Sequence, residues 1–346
     1  MVGSCGPSVK FLPSGSGITI AICLSMSANI PFDFSPSSRR REVSSSATTA
    51  TVRIRRLVWK LAIATLALMA VGSATRVMNA GLACPDWPLC YGQLVPRQQM
   101  NLQVFLEWFH RLDASLIGLM SIWLAVQSWW CRRDLPRWLP WASLGALFLI
   151  LVQGALGGLT VTELLRFDIV TAHLGTALAF LIALLTIGLG LTPYQGLGTA
   201  GNLPILGFVA AVLVYIQCLL GALVGSRWAA HQCLGLSQLC QVMDSHLIGV
   251  VPPTIAIFAL LLVSWRTPAL HPWLRRLTIL IGTLLSVQIV LGIATLQMHL
   301  QVEPLTVTHH TVGAALTAAL VAFTVLAWRD RAPVSITTVP LNPSQV

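Results

Sequence analysis

Apolar residues in this chain come in long unbroken runs, not in alternation with polar ones. Eight runs are long enough to cross about 30 Å of hydrocarbon as helices. They lie near Leu57–Met78, Leu102–Trp130, Trp138–Val161, Asp168–Leu191, Pro204–Val224, Asp244–Ser264, Trp273–Gln297 and Leu305–Trp328. Strands are excluded because the runs do not alternate and an open sheet edge has no backbone partners in lipid. The pattern therefore predicts an all-α integral membrane protein with eight transmembrane helices. Composition agrees, with 55% apolar residues, 9% charged residues and a mean hydropathy of +0.78. Soluble domains run at about 45–50% and about 25%, so a soluble globular class is excluded.

The net charge of +10 is then no sign of nucleic-acid binding, and no nucleic-acid partner is expected; the bilayer is the partner that matters. Lys and Arg cluster on alternate connections: Arg53, Arg55, Arg56 and Lys60 before or at the first run, Arg132, Arg133 and Arg137 after the second, Arg266, Arg275 and Arg276 after the sixth, Arg329 and Arg331 after the eighth. The opposite connections carry only Arg97, Arg166 and Arg227. By the positive-inside bias both termini are cytoplasmic, in a plasma (inner) membrane or its organellar equivalent. Residues 1–56 are rich in Ser and Arg and poor in acids. They are read as a tail outside the fold: a targeting segment, a disordered arm, or an extension upstream of a true start at Met26. Residues 329–346 are read as a cytoplasmic tail.

With that orientation the stretch "GLACPDWPLCYG", Gly81 to Gly92, faces outward. Its Cys84 and Cys90 are close enough to bridge, to bind a metal or to pass electrons.

The chain also repeats itself. "VQGALGGLT" in the third run matches "VQIVLGIAT" in the seventh, pairing Gln153 with Gln288 at an offset of 135. Gly72 precedes Cys84 by twelve residues, as Gly221 precedes Cys233, and each cysteine has a near partner, Cys90 and Cys240. His110 and His246 differ by 136, and so do His173 and His309. Such internal similarity predicts two tandem, pseudo-symmetric four-helix bundles, 57–191 and 204–328, in the same orientation. Every one of these histidines falls in the first turns of a helix running inward, roughly 3–12 Å below its outer end at 1.5 Å per residue.

A buried histidine in a membrane bundle often just bonds across helices. Two repeated pairs point further, because two neutral imidazoles from facing helices suit axial ligation of a haem iron. Zinc or copper would want three or four protein ligands. His310 competes with its neighbour; the repeat offset favours His309, and adjacent helical residues point about 100° apart. The halves differ at one position that matters. Glu107, one turn before His110 and on the same face, corresponds to Met243, and Arg111 to Leu247. A carboxylate there either serves chemistry as a base or charge stabiliser, or pairs with Arg111. We read the first half as the reacting site and the second as an electron-carrying haem.

Together, "GLACPDWPLCYG", "EWFHRL", "TAHLG", "DSHL" and "THHTVGA" resemble the haem A synthase family over Leu57 to about Asp330. "VEPLTVTHHTVGAAL" is most similar to cyanobacterial members. The resemblance implies oxidation of a methyl substituent of haem O, the substrate, to a formyl group by successive hydroxylations. It implies that His110 and His173 flank haem O, that His246 and His309 ligate a resident haem b, and that Glu107 is catalytic. It also implies a haem O synthase upstream, haem–copper oxidase assembly downstream and an electron donor not named by the sequence. Family members carry His-Gln or similar where this chain has His309-His310, so His310 stays as the alternative ligand.

An outward loop meets an oxidising compartment, and Cys84–Cys90 and Cys233–Cys240 are each expected to form a disulfide, as a staple or as a redox relay. Arg76 is a candidate contact for haem propionates, with interfacial snorkelling the alternative. The rival function is a two-haem b-type electron-transfer cytochrome without substrate chemistry, which would have no use for Glu107. A parallel-repeat transporter is a weaker rival.

Overall fold

In lipid a backbone must satisfy its own polar groups, and the apolar runs do so as helices. The computed structural model describes residues 36–225 and 238–331. Among these are α1 (Pro36–Val77), α2 (Leu102–Trp130), α3 (Leu139–Thr162), α4 (Phe167–Gly190), α5 (Leu203–Val224), α6 (Gln238–Gly249), α7 (Val251–Arg266), α8 (Pro272–Gln297) and α9 (Glu303–Asp330). Eight spans are long and apolar enough to cross a membrane, the sixth running through α6 and α7. The protein is an all-helical integral membrane protein, and the described residues contain no strand.

Two expectations need correction. The boundary at residue 57 falls inside α1, which begins at Pro36 and whose Ala50 and Ile54 are buried in the core. No Gly or Pro interrupts the chain between Pro36 and Gly72, so nothing stops the helix where its apolar stretch ends. The sixth run is two helical segments, not one helix, because Pro252 and Pro253 supply no N–H to the preceding turn. The chain breaks at Gly249 and Val250, and a Cβ on Gly249 would lie 2.6 Å from Gln217 Oε1.

Helices α1 to α4 pack in a ring, α1 on α2 and α4, α3 on α2 and α4. The second set packs α5 on α6, α7 and α9, and α8 on α7 and α9. The two sets meet through α1, α4, α5 and α9. α9 is the central helix: 61% of its apolar window is buried inside the protein, against 17–39% for the other spans. Outward residues such as Trp123, Phe148, Ile255 and Val290 are exposed and apolar, as a lipid-facing surface requires.

The repeat seen in sequence has a counterpart in backbone geometry. After α3, Leu164 and Leu165 have φ of 52° and 61°; after α8, His299 and Leu300 have the same pair of values. Leu165 N donates to Thr160 O at 2.8 Å and Leu300 N to Thr295 O at 3.0 Å. Left-handed backbone at two successive non-glycine residues is uncommon, and here it recurs at an offset of 135. At the opposite end, fully buried Asp330 accepts from the backbone N–H groups of Leu197, Thr199 and Ala200 at 2.8–2.9 Å. It thereby ties the α4–α5 connection to the end of α9.

Candidate functional site

A cavity of about 1890 Å³ runs between the two sets of helices and is lined by His110, His173, His246, His309 and His310. Single-ligand pockets are typically about 300–1,000 Å³, so the space suits two large ligands. Its walls are otherwise mostly apolar.

Four of the histidines are seated alike. A Cβ built on Gly72 of α1 would lie 2.8 Å from His110 Cε1, and one on Gly157 of α3 would lie 3.3 Å from His173 Cε1. In the second half the figures are 3.0 Å for Gly221 of α5 against His246 Cε1 and 3.1 Å for Gly292 of α8 against His309 Cε1. Each imidazole edge is therefore packed on the bare backbone of the preceding span, in a notch that a side chain would fill. Registers match too: His110 and His246 are ninth in α2 and α6, and His173 and His309 seventh in α4 and α9.

Ring nitrogens distinguish His309 from His310. His309 Nε2 lies 3.3 Å from Gln288 Nε2, as His173 Nε2 lies 3.1 Å from Gln153 Nε2. His310 turns the other way and its Nδ1 bonds Ser73 Oγ of α1 at 2.8 Å. His309, and not His310, shares the seat of His173. Nδ1 of His110, His173 and His309 is buried without a partner. His246 differs, because Gln217 Nε2 lies 3.0 Å from its Nδ1 and donates to its backbone carbonyl at 2.7 Å.

The donor set fits haem. Two imidazoles per half face one roomy cavity, and among the described residues no three His, Cys, Asp or Glu side chains gather as a metal site. Arg76 also lines the cavity, and its Nη2 donates to Ala222 O at 3.4 Å.

Glu107 is 3% exposed and lines the cavity on the first-half side. Its Oε1 accepts from Arg111 Nη2 at 2.5 Å and its Oε2 from Cys84 N at 2.8 Å. Arg111 also donates to Asp86 O and Leu89 O, both at 2.6 Å. Cys84 and Cys90 form a disulfide, with Cα atoms 4.8 Å apart. The Cys84–Cys90 loop is thus clamped from below by an ion pair that a buried carboxylate needs for its own solvation. The Asp86 carboxylate accepts from Gly92 N at 2.8 Å and Tyr91 N at 2.6 Å. These bonds, Gly92's first, hold Asp86 below the usual carboxylate range, helped by nearby Arg111. Trp87 from the same loop lies over Gly158 of α3, whose Cβ would sit 3.3 Å from the indole. The second expected disulfide, Cys233–Cys240, lies outside the described residues.

Sequence reasoning took Gln153, Gln288, Gly72 and Gly221 as markers of duplication and assigned them no work. Their signal was present, since each recurs with the histidine it touches. Gln217 and Ser73 had none, because neither has a repeat partner.

Comparison with known proteins comes to the same place. The model of the cytochrome oxidase assembly protein family, COX15-CtaA, matches residues 55–252. A protein of Shewanella oneidensis named heme A synthase is 30% identical over 340 residues, 81% of this chain and 99% of the relative. Proteins of the same name from Erythrobacter litoralis and Novosphingobium aromaticivorans are 25% and 26% identical, covering 76% and 77% of this chain and 94% and 92% of the relatives.

Proposed function

The chain belongs to the cytochrome oxidase assembly protein family COX15-CtaA, and on that premise we propose how its cavity serves the synthesis of haem A. The protein is a membrane enzyme that oxidises haem O to haem A. In our reading the two halves, helices α1 to α4 and α5 to α9, are tandem, pseudo-symmetric bundles that divide this work. His110 and His173 hold haem O in the first, and His246 and His309 hold a resident haem b in the second. When bound, haem b supplies a one-electron redox centre beside the substrate.

The chain's own residues do the rest. Glycine seats hold the four imidazoles edge-on, so each keeps one orientation while the cavity is open to ligand. Glu107 presents a carboxylate beside His110. Held by Arg111 and Cys84 N, it has a fixed position from which to stabilise positive charge or accept a proton as the methyl group is oxidised. The Cys84–Cys90 loop, braced by Arg111 and by Asp86, acts as a staple that keeps this carboxylate placed and water out. Arg76, at the seam of the two halves, is suited to a propionate. Both termini are assigned to the cytoplasmic side of a plasma membrane. A haem O synthase would supply the substrate, and assembly of haem–copper oxidase would consume the product.

The observation that carries this reading is the pairing of four glycine-seated histidines around one cavity with a buried carboxylate in only one half. It is tested by expressing the protein with a haem O synthase in a host lacking haem A and chromatographing the extracted haem. Haem A, or its hydroxylated precursor, is the expected product. Folded, haem-loaded protein yielding only haem B and haem O would instead make it a two-haem electron carrier.

A further inference from the structure

The third and seventh membrane spans, α3 and α8, each present two groups to a histidine on the next helix. Gln153 and Gly157 stand one turn apart and meet His173; Gln288 and Gly292 do the same for His309. The glycine takes the Cε1 edge and the glutamine amide nitrogen takes Nε2. An amide nitrogen only donates, and it is matched by Nε2 as acceptor in the tautomer that carries the ring proton on Nδ1. That Nδ1 is buried and unpartnered in both residues; in this tautomer Nε2 carries the lone pair that could bind iron. The glutamine amide takes up the hydrogen-bonding position at that nitrogen, and its own Oε1 is likewise buried without a partner in both copies.

We propose that Gln153 and Gln288 are displaceable placeholders. Each holds its histidine in the tautomer that leaves the Nε2 lone pair available, and each must give up that bond when haem arrives. This rests on the assignment of His173 and His309 as haem ligands made above. A placeholder has two consequences. It keeps the empty site assembled, since a buried acceptor without a partner is costly. It also lowers haem affinity by the bond that binding breaks, which at the first site favours exchange of product for fresh substrate.

The test is haem binding by the full-length protein, produced in a haem-deficient host and titrated with ferric haem b. Gln153→Met and Gln288→Met keep the volume and remove the donor. Each is expected to tighten haem b binding by about 2- to 10-fold, the range that one ordinary net hydrogen bond represents. Transfer of haem to an apo-globin acceptor should slow by a similar factor, with the low-spin bis-imidazole spectrum retained. Unchanged or weakened binding in both variants would overturn the proposal and make the glutamines anchors instead. Gln153→Leu and Gln288→Leu repeat the measurement should the Met variants not fold. His309→Ala and His173→Ala separate the two ideas. If each leaves the low-spin spectrum intact, the ligand assignment fails. If each removes only its own half's share of that spectrum while the Gln variants bind as the parent does, only the placeholder fails.

Discussion

The two halves of this molecule use one scaffold for different ends. Both seat a pair of imidazoles on glycines, and both place a glutamine on the second imidazole and turn into their last helix through the same left-handed pair of residues. Above the imidazoles the likeness stops. In the first half Glu107, Arg111 and the Cys84–Cys90 loop form one hydrogen-bonded unit. In the second, Met243 and Leu247 line the cavity at the corresponding positions. Its ligand helix is broken at Gly249, with Gln217 bonded into the break. In the proposed function, the features common to both halves make a place for a large planar ligand. Those confined to one half are where reactivity belongs, since a buried charge is retained only where its cost is met.

The largest effect should come from erasing that difference. Glu107→Gln keeps the shape and removes the charge, and we expect turnover of haem O to fall by about 100-fold or more with haem content little changed. Haem A formed per folded protein is the readout, and near-parental turnover would end the claim that the halves differ in chemistry. Arg111 is a poorer probe, because its loss would leave a buried carboxylate uncompensated, at about 3–5 kcal/mol.

A second test sharpens the comparison by damaging one half at a time. Gly72→Leu should drive His110 from its seat and Gly221→Leu should displace His246, each overpacking its site by about 1–3 kcal/mol. The expected result is loss of haem from the altered half only, read as a partial change in the low-spin spectrum of the purified protein. Equal losses from both halves in either variant would show that the cavity loads as a single unit.

The smallest effect concerns the loop. The folded-state pKa of Asp86 is depressed, chiefly by the Gly92 amide. Its stabilising contribution is therefore full above the ordinary carboxylate value of about 3.9 and is lost as pH falls through the lower folded value. Hydrogen exchange in residues 84–92 should accelerate as pH is lowered below about 4, after correction for intrinsic exchange. Asp86→Asn should remove that pH dependence and leave the second half untouched. A pH response that persists in the Asn variant would place the titrating group elsewhere.

Much of this was legible before any coordinates. Run length alone located the eight spans, because a helix in hydrocarbon needs a set number of apolar residues. The offset of 136 paired the histidines, and the closely spaced cysteines were read as a bridge that is present at Cys84–Cys90. Two readings of local structure fell short. The start of α1 was placed too late because apolarity marks the membrane boundary and not the helix end. The break in the sixth span was missed although Gly249, Pro252 and Pro253 all signal one, because its apolar run was read without its breakers.

By itself, then, the sequence determined the class, the number of spans and the residues that recur. These depend on composition and on spacing along one chain, where each residue's partner is the solvent or its own helix. Tertiary structure decided which imidazole of His309 and His310 shares the glycine-and-glutamine seat of His173, which atom each glutamine meets, and that Glu107 is tied to Arg111 and to the backbone of the loop above it. Those choices depend on how helices rotate against one another. A rotation of one residue, about 100°, exchanges His309 for His310. Packing of His309 on Gly292 and Gln288 on one side, and the bond from His310 to Ser73 on the other, go with the angle that the fold adopts.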